Sequence, residues 1–172
     1  EANASWAVYA DENFTQPISL PLQLQVGNNT FYIKVQREGE DDFNSYTLNL
    51  YMKNFVADLE ELSVSAGELS PEFDKDTLHY TLWLKGNDDK VAFLPKVLDA
   101  SGATVTVNGV AVAYGSWSSE LPMEIGENAP VLIKVTAEDS SYTKTYTITP
   151  IRLSGNSNLA GISLSAGTLS PA

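Results

Sequence analysis

The 172-residue sequence has no cysteine, one histidine, and only 10 Lys+Arg against 22 Asp+Glu. Without Cys there are no disulfides, thiolate zinc sites, Fe–S clusters or Cys nucleophiles. A single His leaves little for Ser-His-Asp chemistry or for imidazole metal sites. The shortage of base gives a formal net charge of −12. That argues against nucleic acid or an anionic membrane as the main partner, because both are held by Lys/Arg surfaces. No apolar run approaches the ~20 residues that span a bilayer. Nor does any window of a dozen residues carry helical periodicity. What is present is apolar residue enough for a core, 43%, with a charged fraction of 19% that is too low for a disordered polyelectrolyte. The chain opens at Glu1 with neither Met nor a charged-then-apolar leader, and is expected to be a processed or excised piece.

Self-similarity is the main signal. Leu59-Glu60-Glu61-Leu62-Ser63-Val64-Ser65-Ala66-Gly67-Glu68-Leu69-Ser70-Pro71 returns 100 residues later as Leu159-Ala160-Gly161-Ile162-Ser163-Leu164-Ser165-Ala166-Gly167-Thr168-Leu169-Ser170-Pro171. The same offset relates Ile33-Lys34-Val35 to Ile133-Lys134-Val135, and Tyr46-Thr47-Leu48 to Tyr146-Thr147-Ile148. Val26-Gly27-Asn28-Asn29 corresponds to Ile125-Gly126-Glu127-Asn128 with one residue of slippage. Chance is a poor explanation for several blocks in one register. A period of this length is a domain, not a solenoid turn. The chain therefore divides into the C-terminal part of one unit (1–53), a complete unit (54–157) and the opening segment of a third (158–172).

Strands are expected throughout. Tyr80, Leu82 and Leu84 alternate with Thr81, Trp83 and Lys85. Val105 and Val107 alternate with Thr104 and Thr106, and Asn108-Gly109 then offers a tight hairpin turn. Phe31, Ile33 and Val35, and Tyr46, Leu48 and Leu50, show the same period of two. Short alternating runs, punctuated by Gly and Pro over about 100 residues, predict an all-β fold: an antiparallel immunoglobulin-like sandwich of about seven strands per unit.

Taken together, the opening Leu-x-x-Leu-x-Val-Ser-x-Gly-x-Leu-Ser-Pro, then Phe73-Asp74, Tyr80-Thr81-Leu82, Val105-x-Val107-Asn108-Gly109, Ile125-Gly126-Glu127-Asn128, Ile133-Lys134-Val135-Thr136-Ala137-Glu138-Asp139, Tyr146-Thr147-Ile148 and Arg152 resemble the bacterial cadherin-like β-sandwich domain. The resemblance covers 54–157 and both flanking partial units. It implies seven-stranded sandwiches in tandem in extracellular multi-domain proteins, some accompanied by carbohydrate-active modules. It carries over no catalytic residue. The first partial unit departs most: Val8-Tyr9-Ala10-Asp11-Glu12 stands where the complete unit has Val107-Asn108-Gly109, so that hairpin is expected to be remodelled.

Candidate ligand-binding residues are aromatic. Trp83 falls out of phase with Tyr80, Leu82 and Leu84 and should point outward, offering a flat face to a sugar ring or to a neighbouring unit. Tyr114-Gly115-Ser116-Trp117-Ser118-Ser119 interleaves aromatics with hydroxyls, as a sugar-binding loop requires; the alternative is that Trp117 caps the core. Acidic turns at Glu38, Glu40, Asp41, Asp42, at Asp74 and Asp76, at Asp88-Asp89 and at Glu138-Asp139 lack EF-hand spacing, and no metal or other cofactor is assigned to them. Gly161-Ile162-Ser163-Leu164-Ser165 lacks the second Gly of a nucleophile elbow, and His79 reads as an exposed strand residue. No enzyme is expected.

The sequence thus points to a non-catalytic structural or adhesion segment of a secreted or cell-surface protein, bacterial, with glycan attachment as one role. Its partners would be neighbouring units of the same polypeptide and a polysaccharide or cell-wall glycan, with neither nucleic acid nor membrane. One alternative is a dedicated polysaccharide-binding module using Trp83, Tyr114 and Trp117. Another is a self-assembling subunit in which 158–172 adds a strand to another molecule, because an uncovered sheet is an aggregation liability.

Overall fold

A computed structural model describes residues 3–156, 158 and 165–167. Among these there is no helix, and so none long and apolar enough to cross a membrane. The expected opening segment 158–172 lies outside the described residues except at 158 and 165–167.

Residues 3–52 form one antiparallel sheet from β1 (Ala4–Tyr9), β2 (Pro17–Ile18), β3 (Gly27–Arg37) and β4 (Phe43–Met52), in the order β2-β1-β3-β4. The following region contains β5 (Leu59–Val64), β6 (Glu68–Ser70), β7 (His79–Leu84), β8 (Lys90–Val91), β9 (Phe93–Val97), β10 (Thr104–Val107), β11 (Val110–Val112), β12 (Leu121–Pro122), β13 (Gly126–Glu127), β14 (Val131–Thr136) and β15 (Thr143–Arg152). One of its layers runs β11-β10-β14-β15-β7-β6, with β13 also on β15. The strand pairs β5–β9 and β8–β12 make the facing layer. The expected sheet was wholly antiparallel, but β7 lies parallel to β15, with Tyr80 opposite Ile148. Parallel neighbours need a long crossover, and here it is the whole run 85–142, which passes through the facing layer on its way.

Alternation becomes burial in this second region. Tyr80, Leu82 and Leu84 of β7, Val105 and Val107 of β10, Val131, Ile133 and Val135 of β14, and Tyr146 and Ile148 of β15 meet Leu59, Leu62, Val91, Phe93 and Val97 from the facing strands. Each buried apolar side chain of this size is worth about 1.5–3 kcal/mol, so the two layers are held mainly by this core. Two tyrosines anchor the chain to it. The Tyr146 hydroxyl accepts from the Leu59 N–H at 3.0 Å and donates to the Lys75 carbonyl at 2.9 Å. The Tyr80 hydroxyl donates to the Asp74 carbonyl at 2.6 Å, and the Phe73 ring lies 6.0 Å from both tyrosine rings. Gly67 sits at φ +79, where a Cβ would come within 2.6 Å of the Trp83 carbonyl, so β5 can turn tightly into β6 only with glycine there.

The sequence repeat is also a repeat of register. Ile33 faces Tyr46 and Phe31 faces Leu48 across β3–β4, and Ile133 faces Tyr146 and Val131 faces Ile148 across β14–β15. Trp6 and Val8 oppose Val35 and Ile33, just as Val105 and Val107 oppose Val135 and Ile133. The turn before each central strand is closed by the same side chain. Asn29 accepts from the Gln25 N–H (2.8 Å) and donates to the carbonyls of Gln25 (2.7 Å) and Gly27 (2.9 Å). Asn128 does likewise with Glu124 (2.8 and 2.9 Å) and Gly126 (3.1 Å).

The hairpins differ as expected. Asn108 (φ +48) and Gly109 (φ +81) make the two-residue turn between β10 and β11. Between β1 and β2 the loop is longer and is organised by the Asp11 carboxylate, which accepts from the N–H groups of Thr15 (3.0 Å) and Gln16 (2.7 Å). Desolvation raises the Asp11 pKa, but these donors outweigh it and hold the carboxyl below its ordinary value.

Candidate ligand-binding surface

Loop 113–119 leaves the β10–β11 hairpin and crosses to the facing layer. It is fastened there by Ser118, whose N–H donates to the Phe93 carbonyl (2.8 Å) and whose hydroxyl accepts from the Phe93 N–H (3.0 Å). This crossing opens a cleft of about 250 Å³ lined by Val107, Val112, Leu121 and Trp117 and by the hydroxyl-bearing Ser116 and Ser119. The size is just below the usual range of ligand pockets, about 300–1,000 Å³, and suits one ring rather than an extended chain. Trp117 is 49% exposed, so a large part of the indole is available for stacking. The Ser118 hydroxyl is engaged with Phe93 and with the Ser119 carbonyl, whereas those of Ser116 and Ser119 make no hydrogen bond to the described residues.

The three candidate aromatics do not converge. Tyr114 is exposed in the same loop but does not line the cleft. Trp83 points outward from β7 and is 45% exposed. It stands across β15 and β14 from β10, roughly 15 Å from that strand at ~4.8 Å per strand, and does not line the Trp117 cleft. His79 is exposed at the start of β7.

A second polar constellation joins the two regions. Glu138 accepts from the Tyr51 hydroxyl at 2.6 Å and from the Asn54 N–H at 3.0 Å. Asn54, buried, donates from Nδ2 to Asp99, and its own Oδ1 accepts from the Val56 N–H at 2.8 Å. Its carbonyl accepts from the Asp139 N–H at 2.9 Å, and Phe55 lies 5.6 Å from the Tyr142 ring. The Tyr51 and Asn54 donors hold the Glu138 carboxyl below its ordinary value, and Asp99 is lowered by the Ser101 N–H at 2.8 Å. These partners are up to 87 residues apart, so no local pattern could expose them; Glu138-Asp139 reads in the sequence only as an acidic turn. Among the described residues no three His, Asp or Glu side chains gather to hold a metal ion.

The model of the cadherin-like β-sandwich domain family matches residues 59–153. The chain belongs to that family. The match spans β5 to β15, the region with two packed layers. Cadherin-like domains are structural and adhesion modules, typically non-catalytic and usually found outside the cell or at its surface. A relative from Evansella cellulosilytica, named "Putative membrane protein", is 35% identical over 96 residues, which is 56% of this chain. The matched stretch covers 14% of that protein's own length.

Proposed function

We propose that the chain is a non-catalytic structural and adhesion segment of an extracellular, bacterial multi-domain protein, and that its Trp117 cleft attaches it to a glycan. On this reading 54–157 is one complete cadherin-like unit, 1–53 the closing part of the preceding unit and 158–172 the opening of the next. The carrying observation is the half-exposed Trp117 indole in a cleft it shares with Val107, Val112 and Leu121 and with the Ser116 and Ser119 hydroxyls, which make no hydrogen bond to the described residues. A stacking face with adjacent donors and acceptors is what pyranose recognition requires. The family's usual setting and the relative's name support a surface location. Net charge of −12 keeps such a segment soluble and away from anionic lipid.

The test is tryptophan fluorescence with pull-down on cellulose, xylan, chitin and cell-wall preparations. Binding is expected with a spectral shift that Trp117→Ala abolishes while the melting temperature holds and Trp83→Ala still binds. Loss of melting temperature in Trp117→Ala would make the indole a core cap, and no binding across the panel would leave a spacer role.

A further inference from the structure

We propose that the Trp117 cleft selects a 2-acetamido sugar, an uncharged N-acetylhexosamine residue; the inference rests on the glycan reading above and names its substrate class. The cleft lies wholly within the region that has two packed layers. Val107 and Val112 share the inward face of the β10–β11 hairpin, and Leu121 reaches the cleft from β12 in the facing layer. Val107 belongs to the core, and Val112 and Leu121 pack against it, so the cleft ends on apolar side chains.

Charge narrows the ligand first. No Asp, Glu, Lys or Arg lines the cleft. Glu120, between Ser119 and Leu121, is not part of the lining and pairs with Lys90 at 2.6 Å. An ionised ligand would give up hydration on entering and meet no counter-charge. Free amino sugars are disfavoured for that reason. Uronic acids are disfavoured twice, because the chain carries a net charge of −12.

The polar groups narrow it further. Asn108 also lines the cleft, at the turn of the hairpin, where it sits at φ +48. Its Oδ1 accepts from the Leu132 N–H at 2.8 Å, which fixes the amide and leaves Nδ2 as a donor with no hydrogen bond to the described residues. Ser116 and Ser119 add hydroxyls that can donate or accept. A plain hexose offers only hydroxyls and would set polar edges against Val107, Val112 and Leu121. An acetamido group answers each part of the cleft. Its carbonyl accepts from Asn108 Nδ2, its N–H donates to a serine hydroxyl, and its methyl covers the apolar wall, while the pyranose ring stacks on Trp117. A 6-deoxy sugar would bring the methyl but no carbonyl for Nδ2.

The experiment is fluorescence titration of the full chain with N-acetylglucosamine, glucosamine and glucose at about 0.15 M salt. N-acetylglucosamine is expected to bind about tenfold more tightly than glucose, the discrimination a pocket gains from a matched apolar group, and glucosamine no more tightly than glucose. Asn108→Asp keeps the oxygen that the Leu132 N–H needs and suits the same turn, but removes the donor. It should bring N-acetylglucosamine to within about threefold of glucose while the melting temperature holds. Val112→Thr, which puts a hydroxyl on the apolar wall, should shrink the preference in the same way and keeps the test open if Asn108→Asp disturbs the hairpin. Equal binding of N-acetylglucosamine and glucose, or a preference that both variants retain, would overturn the acetamido assignment and leave glycan attachment standing. No binding of any of the three sugars would overturn it outright, and the polysaccharide panel would then decide separately whether the glycan reading survives.

Discussion

Tyr46 and Tyr146 occupy the same place in the repeat, face the same neighbour in register, Ile33 and Ile133, and have opposite fates. Tyr146 is fully buried, with its hydroxyl partners supplied by Leu59 at the start of β5 and Lys75 in the loop after β6; Tyr46 is 57% exposed. Strand pairing is thus indifferent to whether a second layer is present. Backbone hydrogen bonds and alternation build the sheet, but burial of its apolar face depends on chain from elsewhere. Two nearly identical sheets can differ by most of their hydrophobic stabilisation for that reason alone.

The sharpest way to break this comparison is to truncate equivalent positions. Ile133→Ala opens a cavity in a sealed core and should cost about 2–5 kcal/mol. Ile33→Ala, on the half-covered sheet, should cost less than ~1 kcal/mol in dilute protein. Urea unfolding read by tryptophan separates the two, since Trp6 reports on the first region and Trp83 and Trp117 on the second. Equal costs would mean that Ile33 is packed as tightly as Ile133 and would remove the contrast between the two sheets.

A smaller effect is expected from the hydroxyls. Tyr146→Phe leaves the Leu59 N–H and the Lys75 carbonyl without partners and should cost about 1–3 kcal/mol, whereas Tyr46→Phe should fall within ~0.5 kcal/mol of the parent. The same unfolding curves test this, and a neutral Tyr146→Phe would show that water reaches the Leu59 end of the core.

The smallest effect concerns the coupling between regions. Glu138 and Asp99 have pKa values held below ordinary, so their contribution to the junction is complete above the ordinary carboxylate range of about 4 and is lost as pH falls through their lowered values. Small-angle scattering should show one dimension between neutral pH and about 4.5, then loosening in stronger acid. Glu138→Gln should shift that profile; an identical acid response in the variant would remove Glu138 from the junction.

Much of this was legible along the chain. Alternation at 80–84 and 104–107 marked strands and their inward faces correctly because a strand's period of two is a local property. Asn108-Gly109 announced its turn for the same reason: positive φ is a preference of those residues themselves. Trp83 was expected outward and is outward. The parallel pairing of β7 with β15 was not legible, because nothing in either strand says which way its neighbour runs. Nor was the separation of Trp83 from Trp117, which follows from strand order in the sheet.

By itself, the sequence determined the all-β character, the 100-residue repeat, the turn chemistry and the net charge of −12, since each is a property of residues near one another or of their sum. Only the tertiary structure decided that Tyr146 is buried while Tyr46, at the same place in the repeat, is exposed. It also placed Asn54, Tyr51 and Glu138 in one junction and gave Trp117 rather than Tyr114 the cleft. Those outcomes depend on contacts between segments tens of residues apart, where the gain from burial outweighs the entropy of closing the loop, and that balance belongs to the folded chain.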